Sequence, residues 1–132
     1  MSRLASRENA LVATYVHLIR DVDLDQIIDD HNFVSSIGDF IGPIVLDDEM
    51  YAVTKNAFER KEIYAKALNV YMKRWRFERL GYIEQAVLIL ACSELEFGLQ
   101  SKPVIVNEAI RLVKLYGEED SYRLVNGVLD AL

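Results

Sequence analysis

One cysteine, two histidines and six scattered glycines leave this chain of 132 residues without the residue sets that most site chemistries require. A single cysteine cannot close a disulfide within the chain. Cys92 sits inside the apolar run Ala86-Val87-Leu88-Ile89-Leu90-Ala91-Cys92, where a small buried residue is expected rather than a reactive thiol. His17 and His31 have no second His, Cys or carboxylate cluster at a metal-ligand spacing, so no metal or other cofactor is expected. Asp21, Asp23 and Asp25 are spaced like the start of a calcium loop, but Gln26 and Asn32 stand where Gly and Glu are needed, and that reading fails. The glycines form no phosphate-cradling loop, and no nucleophile elbow is present, so the chain does not read as an enzyme. Nowhere do about eighteen apolar residues run together, and the N-terminus lacks the apolar stretch of a signal peptide. A soluble cytoplasmic protein with no membrane contact is expected.

What is present is apolar content, at 52%, with only two prolines. A chain of this size fits one domain over its full length, 1–132, and can bury roughly two-thirds of its unfolded surface. The net charge of -6 is awkward for a nucleic-acid binder, since phosphate affinity rests on Lys and Arg. Its distribution matters more than its sum. From Asp21 to Glu49 there are acids and no Lys or Arg, whereas Lys55 to Arg79 is rich in bases, among them Lys66, Lys73, Arg74 and Arg76. Such polarisation permits a local basic face.

Helical periodicity runs through nearly the whole chain and strand alternation almost none of it. A first helix is predicted over Ser6 to Ile19. Asp23 is a suitable cap for a second with Leu24, Ile27 and Ile28, and a loop follows through Ser35-Ser36 and Gly42-Pro43. Asp47 or Asp48 caps a third helix with Met50, Val53 and Ala57 inward; a fourth lies near Lys61 to Lys73 with Tyr64, Leu68 and Tyr71. Leu80 to Phe97 is apolar on every face and should be central. Ser101 and Pro103 open a sixth helix that a left-handed Gly117 should stop, and the last opens near Asp120-Ser121. Gly127, inside that last helix, is expected to mark close packing, and Asn107 and Asn126 to be buried polar groups. The expectation is all-α: a single globular domain of about seven helices in two subdomains.

Several words in the second half carry a family resemblance: Trp75-Arg76-Phe77-Glu78-Arg79-Leu80-Gly81, Ile83-Glu84-Gln85-Ala86-Val87-Leu88, Val106-Asn107-Glu108-Ala109, and Ser121 with Val125-Asn126-Gly127-Val128-Leu129-Asp130. In this order and spacing they resemble the NusB family of bacterial transcription antitermination factors. The resemblance implies an RNA-binding scaffold that pairs with NusE, a small ribosomal-subunit protein. The pair binds boxA RNA within an RNA polymerase antitermination complex, making the polymerase termination-resistant on ribosomal RNA operons. It implies NusE contacts at Glu84, Tyr15, Tyr116 and Leu124, where Leu124 replaces a frequent Phe, and places Asp120 and Ser121 in a turn next to both partners.

The family's arginine-rich N-terminus matches Arg7-Glu8, Ala10, Ala13 and Tyr15, but its basic cluster is reduced to Arg3 and Arg7. With those as the N-terminal RNA contacts, the chain alone should hold RNA weakly. A protein-interaction module that has lost strong RNA binding is the alternative. A third reading, the NusB-like domain of some ribosomal RNA cytosine methyltransferases, is disfavoured because the chain stops at Leu132 with no catalytic domain. Both monomer and homodimer stay open.

Overall fold

The computed structural model describes residues 3–30 and 43–132, and every regular element among them is helical. In chain order these are α1 (Arg3–Arg20), α2 (Leu24–Ile28), α3 (Asp48–Val70), a short 3-10 turn (Phe77–Arg79), α4 (Tyr82–Phe97), α5 (Lys102–Tyr116) and α6 (Ser121–Ala131). His31, the Ser35-Ser36 loop and Gly42 lie outside the described residues.

Among the described residues six α-helices stand where seven were expected, because the third and fourth are one helix. Between Ala57 and Tyr64 the chain reads Phe58-Glu59-Arg60-Lys61-Glu62-Ile63, with no Gly, Pro or capping residue to stop it. Met50, Val53, Ala57, Tyr64 and Leu68 then fall on one buried stripe of α3. The Asp47 side chain accepts the Met50 N–H at 2.8 Å and starts the helix. Asp23 and Gln26 form a reciprocal capping box at α2 (2.8 and 3.1 Å), which gives Asp23 a structural role in place of calcium ligation.

Helix α4 is central, as its composition demands. Every residue from Glu84 to Glu94 is buried, and α1, α3, α5 and α6 surround it. Its apolar side chains join those of α3, α5 and α6 in the main core, with Leu11, Leu68, Leu88, Ile89, Ile105 and Leu129 fully enclosed. A second, smaller cluster forms on the far side of α1, where Val12, Ala13 and Val16 meet Leu24, Ile27, Ile44 and Phe58. Helix α1 thus divides the interior in two, with Ala10 and Leu11 facing one cluster and Val12 and Val16 the other.

Three local expectations are corrected. The left-handed stop is Gly98 (φ 66) at the end of α4, while Gly117 is extended (φ -92, ψ -174). A Cβ on Gly127 would meet nothing within 4 Å, so that glycine is not a close-packing device. Asn107 and Asn126 are exposed, not buried.

His17 pins α1 to α3. Its ring stacks on Phe58 at 3.9 Å, Nδ1 lies 2.7 Å from the Val22 carbonyl, and Nε2 lies 2.8 Å from the Lys61 ammonium. A carbonyl only accepts and an ammonium only donates, so Nδ1 carries the proton and the ring is neutral. Burial is the chief cause holding its pKa below the ordinary value of 6.5, with Lys61 adding to it. The unfolded chain therefore takes up a proton that the folded one resists. This contribution is complete above 6.5 and lost as pH falls through that value toward the folded pKa. Urea midpoints should accordingly fall more steeply between pH 7 and 5 for the native chain than for His17→Gln, in which all carboxylates are retained.

Candidate functional site

The N-terminal end of α4 is organised around a carboxylate. Glu84 is only 3% exposed, and its Oε2 accepts the Glu118 backbone N–H at 2.9 Å. In the first turn of a helix a negative charge also meets the positive end of the backbone dipole. Two glycines make room for it. A Cβ on Gly81 would stand 2.5 Å from Glu84 Oε1, and one on Gly117 2.5 Å from Oε2 and 2.7 Å from Val113 Cγ2. Gly117 is therefore there for close approach, which is why its backbone needs no left-handed turn. Glu84 consequently ties the loop between α5 and α6 to α4, and its burial sets it behind the surface that a partner would touch.

The loop so held presents Asp120 and Ser121. Asp120 is in the left-handed region (φ 71), which Asp tolerates better than most residues, and its side chain makes no cap bond to α6. Backbone bonds open that helix instead, Ser121 N–H to Glu118 O and Arg123 N–H to Asp120 O, both 3.2 Å. The Asp120 carboxylate stays exposed.

Two grooves flank Glu84. One, of ≈ 640 Å³, runs between the connection joining α3 to α4 and the start of α6, with Trp75 and Arg79 on one wall and Asp120, Ser121, Arg123 and Leu124 on the other. The second, of ≈ 310 Å³, is lined by Tyr15, Tyr82, Ile83 and Tyr116. They share Gly81, Glu84 and Glu118. Tyr15, Glu84, Tyr116, Asp120, Ser121 and Leu124, drawn from α1, α4, α5 and α6, thus converge on one face. Trp75, Arg79 and Arg123 were missed as site residues, although an aromatic inside a basic stretch was a usable signal.

Arg3 and Arg7 lie elsewhere. Arg7 is 5% exposed; its guanidinium reaches Glu94 at 3.0 Å and Glu108 at 3.2 Å, roughly 15 Å along α4 from Glu84. Its neighbour Glu8 pairs with Arg111 at 3.0 Å. Arg3 pairs with Glu49 at 2.6 Å. The expected N-terminal RNA contacts are therefore both ion-paired within the chain, Arg3 at the surface and Arg7 in the interior.

Six helices around an apolar centre, with a grooved face at one end, define the all-helical class to which the sequence words pointed. The sequence profile of the NusB family matches residues 5–132, and the chain belongs to that family. It is similar to the transcription antitermination protein NusB of Sulfurimonas denitrificans, 46% identical over 67 residues, 51% of each chain. The same named protein of Helicobacter hepaticus is 51% identical over 63 residues, 47% of this chain and 40% of that one. The chain spans about half the length of the curated relatives it matches. Among solved structures, NusB from T. maritima superposes with a TM-score of 0.76 at 28% identity, covering 99% of this chain and 89% of that one. A crystal structure of antitermination factors NusB and NusE in complex with dsRNA gives 0.64 at 22% identity, covering 98% and 93%, a likeness of fold.

Two outcomes follow from this geometry. Arg7→Ala leaves Glu94 buried without its counter-charge and should cost about 3–5 kcal/mol in urea unfolding. Gly81→Ala should displace Glu84 from the Glu118 N–H and destabilise the native chain by about 1–3 kcal/mol. In a Glu84→Ala background the same change meets no carboxylate, so a double-mutant cycle should show strong coupling between the two positions.

Proposed function

We propose that this chain is a transcription antitermination factor that binds boxA-type RNA jointly with NusE and helps make RNA polymerase termination-resistant on ribosomal RNA operons. It acts in the cytoplasm as a scaffold, without catalysis. The observation that carries this reading is the convergence of the six family-matched residues on two adjoining grooves around Glu84. The named relatives support it, as does the fold shared with a NusB–NusE–RNA assembly. No helix among the described residues is long and apolar enough to cross a membrane.

In this assembly NusE docks on the groove of Tyr15, Tyr82 and Tyr116 and reaches Leu124 on the adjoining groove. Glu84 contributes mainly by holding the loop in place. Aromatic and apolar side chains with a polar rim suit such a contact. RNA meets the neighbouring Asp120 and Ser121. The same face would serve a homodimer.

The ion pairs of Arg3 and Arg7 favour keeping one alternative, an interaction module that retained NusE and lost strong RNA binding. Gel-shift titrations of boxA RNA with and without NusE separate the two. The antitermination reading expects affinity to rise with NusE by about 5- to 150-fold, the usual range of coupling between ligands, with boxA preferred over a scrambled sequence. A NusE complex indifferent to boxA would establish the interaction module.

A further inference from the structure

The connection between α3 and α4 combines features that neither the NusE groove nor the N-terminal arginines absorb. Lys73, Arg74, Trp75, Arg76 and Arg79 lie in an irregular stretch and its 3-10 turn. Lys73, Arg74 and Arg79 are exposed and have no acidic partner among the described residues. Arg76 stands only loosely near Glu78, at 3.8 Å with both side chains 61% exposed. Between these bases Trp75, the chain's only tryptophan, is 58% exposed, although so large an aromatic is usually well covered. Trp75 and Arg79 then form one wall of the ≈ 640 Å³ groove whose other wall carries three acids, Glu118, Glu119 and Asp120, and one base, Arg123.

We infer that this connection is a binding site for single-stranded RNA, in which a base stacks on Trp75 while flanking phosphates pair with Lys73, Arg74 and Arg79. The inference rests on the RNA-binding reading above and assigns the strand a place within it. Single-strand binders join an aromatic platform to a line of bases, because every base has a stacking face and every linkage a charge. The facing acids select the occupant. Carboxylates repel an acidic peptide, but they accept hydrogen bonds from base amino groups such as cytosine N4. A polynucleotide has phosphates for one wall and base edges for the other; a peptide rich in Asp and Glu offers only the charge that the second wall rejects. The assignment also answers the loss of the N-terminus. Arg3 and Arg7 are engaged by Glu49, Glu94 and Glu108, whereas Lys73, Arg74 and Arg79 have no such partner among the described residues.

The lone tryptophan supplies the readout. The complex with NusE is titrated with a boxA-containing RNA oligonucleotide, with a scrambled oligonucleotide and with polyglutamate, following emission and, in parallel, gel-shift affinity. Emission specific to Trp75, taken as the difference from a Trp75→Phe complex, should be quenched by RNA in step with binding and unaffected by polyglutamate. Trp75→Ala, a change at an exposed position, should lower RNA affinity at least about fivefold, the loss of one stacked base. Changing Lys73, Arg74 and Arg79 together to Gln should flatten the slope of log affinity against log salt by about 0.7 per phosphate contact removed. Circular dichroism checks that both variants keep their helices. If boxA RNA still binds the complex in gels while Trp75 emission, affinity and salt slope are all unmoved, the strand lies elsewhere and only this site is overturned. Quenching by polyglutamate equal to that by RNA would make the connection a site for acidic protein and overturn it as well. A complex that binds no RNA under any condition overturns both this site and the function on which it rests.

Discussion

Helix α4 can exist only when surrounded, because it is apolar on every face from Ala86 to Cys92. That constraint draws α1, α3, α5 and α6 around it and makes the bundle. It also forces a solution for two charges. Glu84 and Glu94 bound the apolar run, both are buried, and a buried carboxylate without partners would cost several kcal/mol. The two ends solve this differently. Glu94 takes an arginine from α1, tying the first helix to the centre. Glu84 takes a backbone N–H and the space left by two glycines, tying in the loop that leads to α6.

These two solutions decide what the surface has left. Because the Glu94 end takes the Arg7 guanidinium, the start of α1 is a structural clamp and not a free basic arm. At the Glu84 end the partner is backbone, so no cationic side chain is drawn inward and the surrounding aromatics and bases stay at the surface. The grooves form here because the Glu84 contact holds a loop against a helix end without filling the space on either side.

Much of the fold was legible locally. The central helix followed from an apolar run with no polar face, the cap of α2 from Asp23, and the start of α3 from Asp47 or Asp48. Two of the misreadings involve partners far off in sequence. Arg7 looked like a surface base since the residues that neutralise it are 87 and 101 positions away. Gly117 looked like a left-handed stop, the usual role of a glycine after a helix, whereas the reason for it is a glutamate one helix earlier. Splitting α3 was an error of another kind: a stripe interrupted by charged Lys61 was taken as an end, although nothing in the intervening residues breaks a helix. At the site, family words located six converging residues, while Trp75 and Arg79 became visible as one wall only when the connection was placed opposite α6.

The net charge of -6 misleads for the same reason that Arg7 did. Several acids between Asp21 and Glu49 are engaged within the fold: Asp23 and Asp47 cap helices, Asp25 accepts the Tyr51 hydroxyl at 2.6 Å, and Glu49 holds Arg3. A charge paired at short range projects little field beyond about 10 Å of salt water. What a polyanion meets is the unpaired remainder, and in the connection before α4 that remainder is positive. An acidic protein of this build can therefore present a basic edge beside an aromatic one. Its total charge acts elsewhere, discouraging nonspecific attachment to nucleic acid and leaving attraction to local groups of unpaired bases such as this connection.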